Sequence, residues 1–174
     1  MTVVTSKVCI VGDFAVGKTS VVERFVHKHF SEKYLTTVGV KVDTKEIGQP
    51  VHGVTHKLVI WDVAGSDRFG HTEFAYLRGA SGFIFVADGT RSKTLHTVDD
   101  LRQQIHEQYG PAPCVLLVNK SDLTTQWEVS DERLRKLGTD YGHIYITSAK
   151  TGDAVEAAMT ELSQQIIRND LNAE

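Results

Sequence analysis

Short runs of consecutive apolar residues constrain the fold of this chain more than any other feature. Four such runs are clear and a fifth is weaker; they cover residues 8–11, 58–61, 83–87, 114–118 and 144–146. Uninterrupted apolar runs of this length are typical of strands buried on both faces, as in a parallel sheet covered by helices. The chain is therefore expected to build a buried, mostly parallel sheet.

Residues 38–47 show a different pattern, in which apolar and polar side chains alternate. Val38, Val40 and Val42 alternate with charged residues, which indicates a strand with one solvated face and the valines on the other. A loop rich in glycine and proline leads from this segment into the run at 58–61. We expect a hairpin, and hence one antiparallel strand.

Apolar residues spaced by three and four lie between the runs and predict amphipathic helices. The stripes are Val21, Val22, Phe25 and Val26, then Val98, Leu101 and Ile105, and finally Val155, Ala158, Met159, Leu162 and Ile166. Ser130 is a candidate N-cap for a further helix that ends at Gly142. Strands alternating with helices predict an α/β fold of about six strands, five parallel and one antiparallel, with helices on both faces.

Composition sets limits on organisation and partners. With 174 residues and no linker or repeat, the chain is expected to form a single domain over residues 1–174. A net charge of −3 does not favour nucleic acid. The longest apolar runs are far too short to cross a bilayer, and two cysteines make no disulfide framework, so we expect a reducing compartment such as the cytoplasm. The eight histidines are expected to be solvated surface residues rather than metal ligands.

Residues 12–19, Gly-Asp-Phe-Ala-Val-Gly-Lys-Thr, match the pattern G-x-x-x-x-G-K-[ST] between the first predicted strand and the first helix. The glycines let backbone N–H groups wrap a phosphate, and the helix start adds the positive end of its dipole. Lys18 would reach the β- and γ-phosphates and the Thr19 hydroxyl would ligate Mg²⁺. The alternative, a glycine-rich turn without a ligand, is disfavoured by this strand-before and helix-after context.

A second motif selects the base. Asn119-Lys120-Ser121-Asp122 ends a predicted buried strand, and Ser148-Ala149-Lys150 follows the next strand. A carboxylate at the base edge accepts hydrogen bonds from guanine N1–H and the exocyclic amine, which adenine cannot offer as a pair. Loops at the carboxyl ends of parallel strands are the expected ligand site in such a sheet.

These motifs together resemble the small GTPases of the Ras superfamily, most closely the Rab branch. The segments 61–65 (WDVAG), Arg68-Phe69 and 77–80 (LRGA) resemble the second switch of that branch, and 37–40 (TVGV) resembles the first. The resemblance extends from the phosphate loop to about residue 168. It implies a P-loop G domain that binds GTP or GDP with Mg²⁺.

The resemblance also implies roles for individual residues. Asp122 would read guanine, with Asn119 tying the base loop to the phosphate loop, while Phe30 would lie against the base or, alternatively, cap the apolar stripe of the first helix. The Ala149 N–H would contact the guanine oxygen. The residues implied to bind Mg²⁺ are Thr19, Thr37 and Asp62, and those implied to act in catalysis are Lys18, Thr37, Gly65 and Ser66. The residues implied to bind the nucleotide are Gly12, Asp13, Phe14, Ala15, Val16, Gly17, Lys18, Thr19, Ser20, Phe30, Tyr34, Thr37, Gly65, Asn119, Lys120, Asp122, Ser148, Ala149 and Lys150.

Two switch segments follow from the same resemblance. Thr37, with Thr36 as the alternative, would ligate Mg²⁺, and the Gly65 N–H would meet the γ-phosphate. Because loss of that phosphate releases both segments, partners can distinguish the two nucleotide states. Effectors, an exchange factor and a GTPase-activating protein are expected to bind through residues 30–42 and 62–79 of a monomer.

Two residues depart from the family pattern. Ser66 stands where most members have the glutamine that orients the attacking water, which predicts GTP hydrolysis about tenfold slower or more if positioning is worth the usual 1–3 kcal/mol. Phe14 stands where the family has a small residue; its ring would crowd the path of a partner's arginine or, alternatively, fold outward against the first switch.

Other interpretations stay open at this stage. A pseudo-GTPase that holds GTP statically as a binding module fits the same contacts, and a P-loop ATPase or kinase fits the phosphate loop but not residues 119–122. Rab-like chains usually end in prenylated cysteines, whereas no cysteine follows Cys114 here. Either the sequence stops before such a tail or the chain is not prenylated, so membrane attachment is left open.

Overall fold

A computed structural model describes residues 2–32, 39–49, 52–63 and 74–173. Within these ranges, six strands form one sheet in the order β2-β3-β1-β4-β5-β6. They are β1 (Thr2–Gly12), β2 (Val40–Gln49), β3 (Val54–Val63), β4 (Gly82–Asp88), β5 (Cys114–Asn119) and β6 (Ile144–Ile146). All neighbouring pairs are parallel except β2 with β3. The predicted α/β sheet with one antiparallel strand is confirmed.

Helices cover both faces of this sheet. They include α1 (Lys18–His27), α2 (Lys93–Tyr109), α3 (Asp131–Tyr141) and α4 (Val155–Ala173), and a 3₁₀ turn lies at Thr124–Gln126. Helices α1 and α4 pack on one face, and α2 and α3 pack on the other. The Ser130 hydroxyl accepts a hydrogen bond from the Arg133 N–H, so the predicted N-cap is confirmed. No helix in the described part of the chain is long and apolar enough to span a membrane.

Strand β4 lies at the centre of the sheet and is buried throughout. Its position explains the unbroken apolar run from Phe83 to Ala87, since both faces of the strand pack against helices. Asp88 closes the strand and lies beside Asn119 in the register with β5. The carboxyl ends of β4 and β5 therefore meet at the same edge of the sheet.

The alternation in β2 was assigned to the wrong face. Val42 is 48% exposed, while Ile47 and Gln49 on the opposite face are more buried. The face expected to be solvated instead approaches α1, where Lys41 bonds to Glu23 and His27 lies 3.4 Å from Asp43. Charged side chains on the two elements pair with one another there, so Asp43 is largely covered, although the Lys41 side chain remains 45% exposed.

One histidine is part of the core, contrary to the expectation that all eight are solvated. His56 on β3 has no exposed surface; its Nδ1 lies 2.7 Å from the Ser163 hydroxyl and its Nε2 lies 2.8 Å from the Ser6 hydroxyl. Gln49 donates to the same Ser163 hydroxyl at 2.7 Å. This buried network, the His56 network, joins three strands to α4. Burial lowers the pKa of His56, and the charge of Asp170 opposes that shift.

Candidate nucleotide-binding site

The phosphate loop lies between β1 and α1, as the sequence predicts. Gly17 precedes the helix with φ of +102°, a conformation that side chains rarely adopt. A Cβ at this position would lie 2.4 Å from Asn119 Nδ2. Glycine is therefore required at residue 17 for two reasons: the positive backbone angle and the close approach of Asn119 from the base-selecting loop.

Lys18 begins α1 and its side chain turns back over the loop. Its ammonium donates to the carbonyl of Gly12 at 3.2 Å and to that of Asp13 at 2.8 Å, and the residue is only 6% exposed. A buried cation held against backbone carbonyls beside a helix N-terminus forms a concentrated positive field. The loop can therefore bind the phosphates of a nucleotide.

Ala15 lies at the middle of the loop in a left-handed conformation, with φ of +65°. This region costs a non-glycine residue about 1–2 kcal/mol. Two cations contact the carbonyls at this turn: Lys120 donates to the Ala15 carbonyl at 2.9 Å, and Arg91 donates to the Phe14 carbonyl at 2.8 Å. The strained turn is thus held from two directions.

Both of these cations bind the carboxylate of Asp88, which is 1% exposed at the end of β4. Asp88 Oδ2 lies 2.9 Å from Lys120 Nζ and 3.0 Å from Arg91 Nε, and Thr90 donates to Oδ1 through its N–H and its hydroxyl. Burial alone would raise the pKa of Asp88, but the hydrogen bonds from Thr90, Lys120 and Arg91 outweigh it and hold that pKa below its ordinary value.

Asn119 connects the three loops of the site. Its Nδ2 donates to the Val16 carbonyl at 3.1 Å, while its Oδ1 accepts from the Thr147 hydroxyl at 3.0 Å and from the Ala149 N–H at 3.3 Å. The side chain is buried, so these bonds form away from water. The expected tie between the base-selecting loop and the phosphate loop is therefore present in this structure.

A cavity of about 300 Å³ lies between these loops, at the lower end of the range typical of small-molecule sites. Many of the predicted nucleotide contacts line it: Ala15, Gly17, Ser20, Phe30, Asn119, Lys120, Asp122, Ala149 and Lys150. The Ser148 hydroxyl donates to Asp122 Oδ1 at 2.8 Å and so orients the carboxylate that is predicted to read the base. Lys150 lies 3.7 Å from Glu32 across the cavity mouth.

Phe30 occupies a position compatible with both of the roles that the sequence left as alternatives. Its side chain lines the cavity and, like Val26, also packs against the core cluster that includes Phe25 on α1. An aromatic ring in this position provides an apolar surface on which a flat base can rest.

Thr19 and Asp62 lie together at the point where Mg²⁺ is predicted. The Thr19 hydroxyl donates to Asp62 Oδ2 at 2.6 Å, and Asp62, near the end of β3, is 1% exposed. Hydroxyl and carboxylate oxygens are the hard ligands that Mg²⁺ prefers. Their chemistry fits the metal, since a hydroxyl that donates its proton to a carboxylate keeps its lone pairs for a cation.

Several predicted site residues lie outside the described ranges. They are Tyr34, Thr37, Gly65 and Ser66, together with Thr36, Arg68 and Phe69 of the two switch segments. Phe14 is described and half-buried; its N–H donates to Asp13 Oδ1 at 2.7 Å and its carbonyl binds Arg91. Asp13 also accepts from the Thr97 hydroxyl at 2.9 Å, which ties the phosphate loop to α2.

Asp88, Arg91 and Thr97 contribute to the site without having been predicted from the sequence. A signal existed for Asp88, because it follows an apolar strand in the way that Asn119 follows the next one. Arg91 and Thr97 carried no such signal. They reach the phosphate loop only because β4 is the neighbour of β1 in the sheet, which places the start of α2 beside the loop that follows β1.

Comparisons with a family profile and with individual known proteins point to the same family. The sequence profile described as "Ras: Ras family" matches residues 7–168. The chain is 34% identical to the human "Ras-related protein Rab-32" over 170 residues, covering 94% of this chain and 75% of the relative. It is 35% identical to mouse "Ras-related protein Rab-31", covering 92% of this chain and 82% of the relative, and 33% identical to dog "Ras-related protein Rab-13", covering 92% and 79%.

A cavity of about 300 Å³ lined by a phosphate loop, on a six-stranded sheet of this order, is typical of a P-loop G domain. The chain belongs to the Ras family of small GTPases and is Rab-like within it. Members of this family generally bind GTP and GDP with Mg²⁺, hydrolyse GTP, and bind effectors, exchange factors and activating proteins.

Proposed function

We propose that this chain binds GTP or GDP with Mg²⁺ and acts as a nucleotide-dependent switch in membrane traffic or a related signalling process, with slow hydrolysis of GTP. The observation that carries the proposal is the connection made by Asn119, which brings the phosphate loop and the two base-selecting loops around one cavity. Effectors, an exchange factor and an activating protein would bind through residues 30–42 and 62–79.

Guanine selectivity is proposed for Asp122. Its carboxylate is held by the Ser148 hydroxyl at 2.8 Å and lines the cavity, where it can accept from guanine N1–H and the exocyclic amine. ATP would leave the base-facing lone pairs of this half-buried carboxylate without donors, and an unpaired acceptor costs considerably more binding free energy than the loss of a methylene contact. GTP should therefore displace a fluorescent GDP analogue at a concentration at least about 100-fold lower than ATP does.

The variant Asp122→Asn tests this assignment. An amide at residue 122 presents a donor where the base also donates, so GDP affinity should fall by about 10–100-fold, the range expected for losing a charged hydrogen bond. Asp140→Asn makes the same change on an exposed residue at the end of α3 and should leave affinity unchanged. Equal competition by ATP and GTP would contradict the guanine assignment and favour a P-loop ATPase or kinase.

Phosphate and metal binding are proposed for Lys18 and Thr19. The buried ammonium of Lys18 supplies fixed positive charge over the loop, and Thr19 with Asp62 would hold the Mg²⁺ that neutralises phosphate charge when bound. Thr37 and the Gly65 N–H complete the proposed set from the two switch segments. Lys18, Thr37 and Gly65 are also proposed to act in catalysis. Ser66 is the fourth proposed catalytic residue and the one that differs from the glutamine of most family members.

Slow hydrolysis is proposed from the serine at residue 66. A serine side chain is shorter than glutamine and lacks its paired donor and acceptor, so the attacking water loses its positioning group. Single-turnover assays should show Ser66→Gln hydrolysing GTP about tenfold faster or more than the wild type, while Ser66→Ala matches the wild type. A wild type as fast as Ser66→Gln would contradict the proposal.

A static GTP-binding module is the second candidate, favoured by Ser66 and by Phe14 at a position where the family has a small residue. The same assay separates it from a slow switch. Retention of GTP without turnover in both the wild type and Ser66→Gln would support the module. Measurable turnover, or nucleotide release accelerated by an exchange factor, would exclude it.

A further inference from the structure

The phosphate loop contains a strained residue that its own side chain cannot stabilise. Ala15 has φ of +65°, and a methyl group offers no hydrogen bond that would favour this conformation locally. Gly17, two residues later, adopts φ of +102° without such a penalty. The conformation of the loop at Ala15 must therefore be stabilised by contacts from other parts of the chain.

Those contacts come from two cations on consecutive carbonyls. Arg91 Nη2 donates to the Phe14 carbonyl at 2.8 Å, and Lys120 Nζ donates to the Ala15 carbonyl at 2.9 Å. The two cations approach from different elements, Arg91 from the segment before α2 and Lys120 from the loop after β5. Together they fix the orientation of the peptide groups on both sides of the strained Cα.

A single carboxylate oxygen anchors both cations. Asp88 Oδ2 lies 3.0 Å from Arg91 Nε and 2.9 Å from Lys120 Nζ, and the side chain is almost fully buried. Thr90 donates twice to the other oxygen and so holds the carboxylate in one orientation. About one third of each cationic side chain is exposed, so without this anchor both could move into solvent.

We propose that Asp88 is a positioning residue for nucleotide binding, which keeps the phosphate loop in its strained conformation at Ala15 by aligning Arg91 and Lys120. The inference rests on the proposed binding of GDP and GTP. It assigns to Asp88 a function beyond supporting the fold, because its effect on nucleotide release depends on the residue at position 15. Glycine at that position adopts the same backbone angle at little cost and needs the anchor less.

The test is a double-mutant cycle of Asp88→Asn and Ala15→Gly, measured as spontaneous release of a fluorescent GDP analogue. Asp88→Asn keeps the shape of the side chain and removes its charge, and it should release GDP at least about tenfold faster than the wild type. In the Ala15→Gly background the same change should accelerate release by no more than about threefold. A role in folding alone would change release by the same factor in both backgrounds.

Asp99→Asn is the matched control, because this carboxylate bonds to Tyr141 and Arg133 away from the phosphate loop. It should leave GDP release within twofold of the wild type in both backgrounds. If Asp88→Asn does not fold, Arg91→Gln replaces it in the cycle, since it removes one of the two cations and leaves Asp88 intact. Arg91→Gln should likewise accelerate GDP release more in the wild-type background than in the Ala15→Gly background.

Equal acceleration in the wild-type and Ala15→Gly backgrounds, or no acceleration by Asp88→Asn, would overturn this inference while leaving GDP binding intact. A wild-type protein that does not bind GDP would overturn the proposed function and with it the inference. The two failures are therefore distinguishable in one set of measurements.

Discussion

The imidazole of His56 should make the folded protein less stable as the pH falls below 6.5. His56 is fully buried between β1, β3 and α4, with its two ring nitrogens 2.8 and 2.7 Å from the hydroxyls of Ser6 and Ser163. A neutral ring donates through one nitrogen and accepts through the other, and both serines can serve either role. A protonated ring would place a buried charge among these hydroxyls, and the charge of Asp170 would offset it only in part.

The sign and the upper limit of the effect follow from linkage. Burial lowers the pKa of His56 below its ordinary value of 6.5, so the unfolded chain takes up a proton at a pH where the folded protein does not. The stabilising contribution is complete above pH 6.5 and is lost as the pH falls towards the folded pKa. The loss cannot exceed about 1.4 kcal/mol for each pH unit. The negative charge of Asp170 opposes the lowering of the His56 pKa and so reduces this loss of stability.

Urea unfolding of the wild type and His56→Gln at pH 7.0 and 5.5 measures this term. The variant should be less stable at pH 7.0 by about 1–3 kcal/mol, the usual cost of disturbing a buried hydrogen-bond network. Its loss of stability on acidification should be smaller than that of the wild type by up to about 1.4 kcal/mol. His96→Gln makes the same change at an exposed position and should retain the wild-type difference. Identical pH dependence in the wild type and His56→Gln would refute the reasoning.

Two glycines should not tolerate alanine, for different reasons. Gly17→Ala places a Cβ 2.4 Å from Asn119 Nδ2 at φ of +102°, so GDP affinity measured by fluorescence titration should fall by about 1–3 kcal/mol; unchanged affinity would contradict the loop geometry. Gly89→Ala places a Cβ 2.0 Å from the Trp127 ring, so urea unfolding should show a loss of about 1–3 kcal/mol from overpacking, and stability within 0.5 kcal/mol of the wild type (roughly the scatter of neutral surface changes) would contradict the packing.

The strands and the phosphate loop could be predicted because local sequence determines them. The run at 83–87 is apolar on both faces because β4 is central, and the loop before Lys18 could be located because its motif lies between a strand and a helix that adjoin it in the chain. Asn119 and Asp122 could be predicted for a related reason. Side chains that directly follow buried strands converge at the carboxyl edge of the sheet.

The remainder depended on contacts that no local pattern encodes. Val42 was assigned to the buried face because alternation reveals that a strand has two different faces but not which of them packs inward. Here the charged face packs inward, because Lys41 pairs with Glu23 on α1. His56 was taken for a surface residue because its two serine partners lie 50 and 107 residues away. The Asp88 anchor was missed because Arg91 and Lys120 converge on it only when β4 and β5 are adjacent.

The nucleotide carried by the freshly purified protein tests the account most directly. The protein is denatured, and the released nucleotide is identified by chromatography against GTP, GDP, ATP and ADP standards. A guanine nucleotide site without a water-positioning glutamine predicts GTP as the main species. GDP would contradict slow hydrolysis and require another group to position the water, and an empty site that refuses added GTP would contradict nucleotide binding itself.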